Sequence, residues 1–113
     1  MSLSLKGSEE MTFEEINERL KKWADDRNIG EYSDKQVMKL IEELGELSEA
    51  INKNLRDQEI DSVGDILVVM IILCYQRGLD PIDCLNKAYN VIKDRKGKTV
   101  NGTFIKSEDL ERS

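Results

Sequence analysis

Two short acidic stretches carry residues able to do chemistry. Glu42-Glu43-Leu44-Gly45-Glu46 is followed, some fifteen residues on, by Asp61-Ser62-Val63-Gly64-Asp65. In a helix, side chains three or four positions apart lie on one side, so Glu43 pairs with Glu46 and Asp61 with Asp65. Glu43 lies at the shoulder of an apolar stripe and Glu46 further round the same side, whereas Glu42 and Glu49 point away from it. Like charges at this spacing destabilise a helix by roughly 0.2–0.5 kcal/mol. A glycine inside a helix costs about 1 kcal/mol relative to alanine, yet Gly45 and Gly64 each precede an acid. These glycines are expected to let two backbones approach closely and bring four carboxylates together. That gathering is tolerable only around a cation, because unpaired buried charge is costly. With no histidine in the chain and two cysteines, Cys74 and Cys84, outside any CxxC spacing, an all-oxygen site suits Mg2+, or Mn2+, rather than zinc. Solvated acids favoured by helix N-termini would account for the same residues without any cation.

The elements that must position these acids are helical. Thr12 and Glu15 form a capping box for a first helix carrying Phe13, Ile16, Leu20 and Trp23 to about Arg27. Trp23 is expected in the core rather than stacked on a base. Ser33 or Asp34 is expected to cap a second helix reaching about Asn54, its core stripe being Val37, Leu40, Ile41, Leu44, Leu47 and Ile51. The third runs from about Glu59 to Arg77 and stops at Gly78. Its centre, Ile66 to Tyr75, is apolar on every face and too short to cross a bilayer, so protein must cover it. The same residues would suit a buried strand; length and flanking residues favour helix. Asp80 is expected to cap a fourth helix with Pro81 at its first position and Gly97 at its end. Asn101-Gly102 between β-prone pairs predicts a hairpin, docked on the bundle or on another subunit. The expected fold is all-α and four-helix bundle-like, with a leader over 1–11, a helical domain over 12–97 and a hairpin and tail over 98–113.

The 113 residues and a formal net charge of -6 indicate one small domain and disfavour a nucleic-acid polymer as partner, while a small phosphorylated ligand needs only a local basic cluster. No targeting or membrane segment is evident, and the cysteines read as reduced, so a cytoplasmic setting is expected.

The residues from about Trp23 to Arg95 resemble the MazG-like nucleotide pyrophosphohydrolases of the all-α NTP pyrophosphatase superfamily. That family carries an ExxE pair on one helix and an ExxD pair on the next. Glu43-Leu44-Gly45-Glu46 matches the first, and Asp65 after Gly64 matches the last acid of the second. The second motif's glutamate falls on Ser62, with Asp61 one position earlier. Asp61 is expected to take over the fourth metal position, the alternative being a gap at Ser62 filled by water. Asn90 followed by Lys93, Arg95 and Lys96 is similar to the family's C-terminal pattern. The resemblance implies Mg2+-dependent cleavage of a nucleoside triphosphate to monophosphate and pyrophosphate, as housecleaning of the nucleotide pool. Glu43, Glu46, Asp61 and Asp65 would hold metal, and Glu46 or Glu42 would accept the proton of the attacking water. Gln36 and Lys39, on the Glu43 side of their helix, join Asn90, Lys93, Arg95 and Lys96 as candidate substrate contacts. Two alternatives stand beside this reading: phosphoribosyl-ATP pyrophosphohydrolase, and a non-catalytic helical oligomer that binds a cation or a partner. Every reading implies a homodimer or homotetramer, because the third helix needs more apolar cover than three short helices supply.

Overall fold

The computed structural model describes residues 10–110; of the expected leader, residues 1–9 lie outside the described residues. The elements are α1 (Phe13–Asp26), α2 (Ser33–Asn52), α3 (Arg56–Gln76), α4 (Pro81–Ile92), β1 (Gly97–Val100), β2 (Thr103–Lys106) and α5 (Ser107–Leu110). The chain is all-α with one C-terminal hairpin, as the sequence indicates, and residues 66–72 are helical. It forms two compact units, one ending at Pro81 and the other beginning at Ile82.

In the first unit α3 packs against both α1 and α2. The capping box is present: Glu15 N–H donates to Thr12 Oγ1 at 3.1 Å, and the Thr12 hydroxyl donates to Glu15 Oε1 at 3.2 Å. The start of α2 differs from expectation. Ser33 is already helical and the cap is Tyr32, without a side-chain bond; its carbonyl accepts from Lys35 N–H at 3.1 Å. Three helices end in the same way. Asn28, Asn54 and Gly78 take left-handed φ of 54°, 56° and 68°. The following amides of Ile29, Leu55 and Leu79 then reach back to the carbonyls of Ala24, Ala50 and Cys74 at 3.1, 2.8 and 2.8 Å. This closure satisfies carbonyls that a helix end leaves free and places an apolar residue after each stop. Side-chain ties from α3 fix the α1 end of the unit. Tyr75 OH donates to the Asp25 carboxylate at 2.9 Å, and Gln76 Nε2 to the Gly30 carbonyl at 2.9 Å.

The core is narrow. Ala24, Ala50, Val69, Ile71, Ile72 and Cys74 are its buried apolar residues. The inward row of α2 is Gln36, Leu40, Glu43, Leu47 and Ala50, at helical spacing. Of the stripe expected there, Leu40 and Leu47 lie in this inward row, whereas Val37, Ile41, Leu44 and Ile51 are turned outward, 42%, 63%, 48% and 54% exposed. On α1 the buried residues are Asn17 and Ala24, while Phe13, Ile16 and Trp23 are exposed. Trp23 is therefore not a core residue; the Arg27 guanidinium stacks on its ring at 4.3 Å. The rows are neighbours on each helix, so periodicity alone could not choose between them. α3 buries Val69, Ile71, Ile72 and Cys74, but Val63, Leu67 and Met70 form an exposed line.

In the second unit the hairpin has the expected two-residue turn. Asn101 and Gly102 both take positive φ, 51° and 81°, which gives the twist that two paired strands require. The register runs from Gly97↔Lys106 to Val100↔Thr103. α4 begins at Pro81 as expected but stops at Ile92 rather than at Lys96. Gly97 is not its cap. It is the first residue of β1, and a Cβ there would run into the Ile105 carbonyl oxygen and the Phe104 ring. Strand pairing, extended by Ser107 N–H to the Lys96 carbonyl at 2.8 Å, takes the chain that a longer helix would have used. α5 is a turn of helix that the sequence pattern did not signal.

Candidate active site

Helix phase puts Glu43 in the row that α2 turns towards the core, where it is 5% exposed. A buried carboxylate needs compensation, and Glu43 has it on one oxygen only. Lys39, one turn earlier, places Nζ 3.4 Å from Oε1; Oε2 is buried without a hydrogen-bond partner. Glu46 lies one turn later on the exposed side. The Glu43 charge beside it, helped by a hydrogen bond between the two carboxyls, holds Glu46 above the ordinary glutamate value of 4.5; Asp65 adds to the effect and Lys39 opposes it. Glu43, Glu46, Lys39 and Asp65 thus form one electrostatic group drawn from α2 and α3. Gln58 fixes the two helices here, its Nε2 donating to the Glu46 carbonyl at 3.2 Å. Nothing in the sequence marked this glutamine, because a lone surface amide on a helix has no spacing to betray it.

The other candidate residues are placed differently. Asp61 is exposed, whereas Ser62, 2% exposed, faces the interior. Among the described residues no three acidic side chains converge closely enough to form a ready-made metal site. The close approach expected at Gly45 and Gly64 is not found: a Cβ on either would meet nothing within 4 Å. Each is on the open side of its helix, so the flanks beside Glu46 and Asp65 are clear. Gln36 lines a groove of about 240 Å³ with Asn28, Ile29, Gly30, Lys35 and Gln76 among others. Asn90, Lys93, Arg95 and Lys96 belong to the second unit, where Asn90 Nδ2 donates to Asn86 Oδ1 at 3.4 Å. Asn17 is a further buried polar residue, its Oδ1 without a hydrogen-bond partner; its only sequence signal is an amide within an amphipathic helix.

The donor chemistry fits a hard dication. Glu43, Glu46 and Asp65 offer only oxygen, Glu43 keeps an orphaned buried oxygen, and mutual repulsion raises Glu46.

Residues 33–99 match the MazG nucleotide pyrophosphohydrolase domain, a span containing both acidic stretches. The chain belongs to that family. It is also 42% identical over 71 residues to an uncharacterized 18.2 kDa protein from the rep-hol intergenic region of Haemophilus phage HP1, a match covering 61% of this chain. The match covers 44% of that relative's length, so the chain spans about half of it. No solved structure is significantly similar.

Proposed function

We propose that the protein is a divalent-cation-dependent pyrophosphohydrolase that converts a nucleoside triphosphate to its monophosphate and pyrophosphate. The observation that carries this is the buried Glu43 carboxylate, paired on one oxygen with Lys39, orphaned on the other and raising the neighbouring Glu46, inside the matched domain. Glu43, Glu46 and Asp65 would hold Mg2+ or Mn2+. When bound, the cation supplies an acidified water and charge neutralisation for the phosphates. Glu46, with Glu42 as the alternative, accepts the proton of the attacking water; a carboxyl raised towards working pH suits that task. Lys39 and Gln36, with Asn90, Lys93, Arg95 and Lys96 by their chemistry, are the proposed contacts to substrate.

Asp65, and not Asp61, acts on Glu46, and the buried Ser62 occupies the position one turn before Asp65; both support a set of three carboxylates, with Asp61 outside it. The substrate class is a canonical or damaged nucleotide, and the setting proposed is the cytoplasm; no single helix among the described residues is long and apolar enough to cross a membrane. The outward rows of α1, α2 and α3 support a homo-oligomer in which a second copy covers them.

A panel of nucleoside triphosphates and phosphoribosyl-ATP, assayed for pyrophosphate with Mg2+ and with EDTA, tests the proposal. Pyrophosphate release abolished by EDTA is the expected result. Release of orthophosphate alone, or no turnover, would overturn it. A second reading, a non-catalytic oligomer binding a cation or a partner, draws on Ser62 standing where the family has a glutamate; it predicts cation binding without turnover.

A further inference from the structure

At the root of the hairpin a cavity of about 280 Å³ is lined by Arg95, Lys96, Lys106, Ser107 and Glu108. Three cations therefore face one carboxylate, in a chain whose formal charge is -6. That carboxylate is loosely held: Lys106 Nζ lies 3.9 Å from Glu108 Oε1, with the Lys106 side chain half-buried and that of Glu108 exposed. An ion pair of this kind is worth little and exchanges readily. Among the described residues no acidic side chain forms a salt bridge with Arg95 or Lys96. The backbone explains why the cations gather. Lys106 stands opposite Gly97 in the ladder, so no side chain on the partner strand covers it, and Ser107 N–H is bonded to the Lys96 carbonyl, which ties both strands to the cavity. The Ser107 hydroxyl is then the polar group that residue adds.

We propose that this cavity binds a phosphate chain through Arg95, Lys96 and Lys106, with Glu108 standing in for the anion until it arrives. Lys106, Ser107 and Glu108 lie beyond the residues 33–99 matched to the family. The depression is open to solvent, so a phosphate chain can lie across it without displacing buried groups. Its preference for an anion follows from charge; a phosphate chain as the particular occupant rests on the pyrophosphohydrolase reading.

The test is calorimetric titration of the full chain with inorganic tripolyphosphate in EDTA, so that no turnover or divalent cation enters. Lys106→Gln should weaken binding by about threefold to fivefold, the scale of one exposed charge contact. Glu108→Gln should tighten it by about twofold, a gain that misfolding cannot produce. Lys98→Gln removes the same charge outside the cavity and should change little. Equal losses in Lys98→Gln and Lys106→Gln, or no gain in Glu108→Gln, would overturn the site in favour of diffuse attraction. Tripolyphosphate bound in the expected pattern by a protein that cleaves no nucleotide would uphold the cavity and overturn the enzymatic reading. Normal turnover with Lys106→Gln and Glu108→Gln unchanged in binding and in KM would do the reverse.

Discussion

At the scale of single residues, Glu43 is the centre of the candidate site, because the fold buries it and satisfies only one of its oxygens. Glu43→Gln and Asp65→Asn should each abolish pyrophosphate release while leaving the far-UV spectrum and thermal melt close to those of the parent, since they remove charge and not volume. Near-normal kcat in either would remove it from the site. Asp61→Asn, by contrast, should leave Mn2+ titrations within about twofold of the parent, because Asp65 rather than Asp61 acts on Glu46 and Asp61 is one position out of phase with the buried Ser62. A loss as large as that of Asp65→Asn would bring Asp61 back as the fourth ligand. Glu46 makes a prediction in pH. Its carboxyl is raised in the folded protein, chiefly by the Glu43 charge, so the folded state holds a proton that the unfolded chain has released. Its contribution to stability is full below the ordinary value of 4.5 and is lost as pH rises through the raised folded value. In EDTA, the melting temperature of the parent minus that of Glu46→Gln should therefore fall as pH rises from about 4 to 7. A flat difference would mean that the two carboxyls do not interact.

Helices supply the next scale, and their glycines fall into two kinds. Gly78 ends α3 at φ 68°, where a side chain costs roughly 1–2 kcal/mol. Gly78→Ala should lower stability by about that much in a denaturant titration. Gly45 and Gly64 lie within helices, and a Cβ there meets nothing within 4 Å, so alanine should stabilise by about 0.5–1 kcal/mol. If the same substitutions reduce activity or dissociate an oligomer, the open flanks beside Glu46 and Asp65 serve a ligand or a second copy. Stability falling in both would show that the two helices approach closely at these glycines.

For the whole molecule the outward apolar rows decide the expectation. Ile41 is 63% and Leu44 48% exposed, and Phe13 on α1 and Leu67 and Met70 on α3 are exposed as well. A soluble monomer rarely leaves so many large apolar groups uncovered. Sedimentation should give a dimer or a tetramer, and Ile41→Glu with Leu44→Glu should give a monomer of lower melting temperature. A parent that sediments as a monomer would overturn this proposal.

Features that depend on near neighbours along the chain are legible from residue types alone. The capping box at Thr12 and Glu15, the Asn101-Gly102 turn, the stop at Gly78 and the i, i+4 approach of Lys39 to Glu43 are all settled within a few residues. The pairing of Glu43 with Glu46 was legible for the same reason. Helix rotation and termination, by contrast, depend on packing between segments distant in the chain. Apolar periodicity places two adjacent rows on α2, and the pattern cannot tell which row meets α3. Packing chose the row of Leu40, Glu43, Leu47 and Ala50, whose small or half-polar members leave room at the interface, and this choice buries Glu43 and turns Val37 and Ile41 outward. It likewise put Ser62 inside and Asp61 outside. The end of α4 was undecidable locally, because Lys93 to Gly97 suits a helix terminus as well as a turn. Pairing of Gly97 with Lys106 settled it, since a backbone group committed to a strand nine residues away cannot also continue a helix.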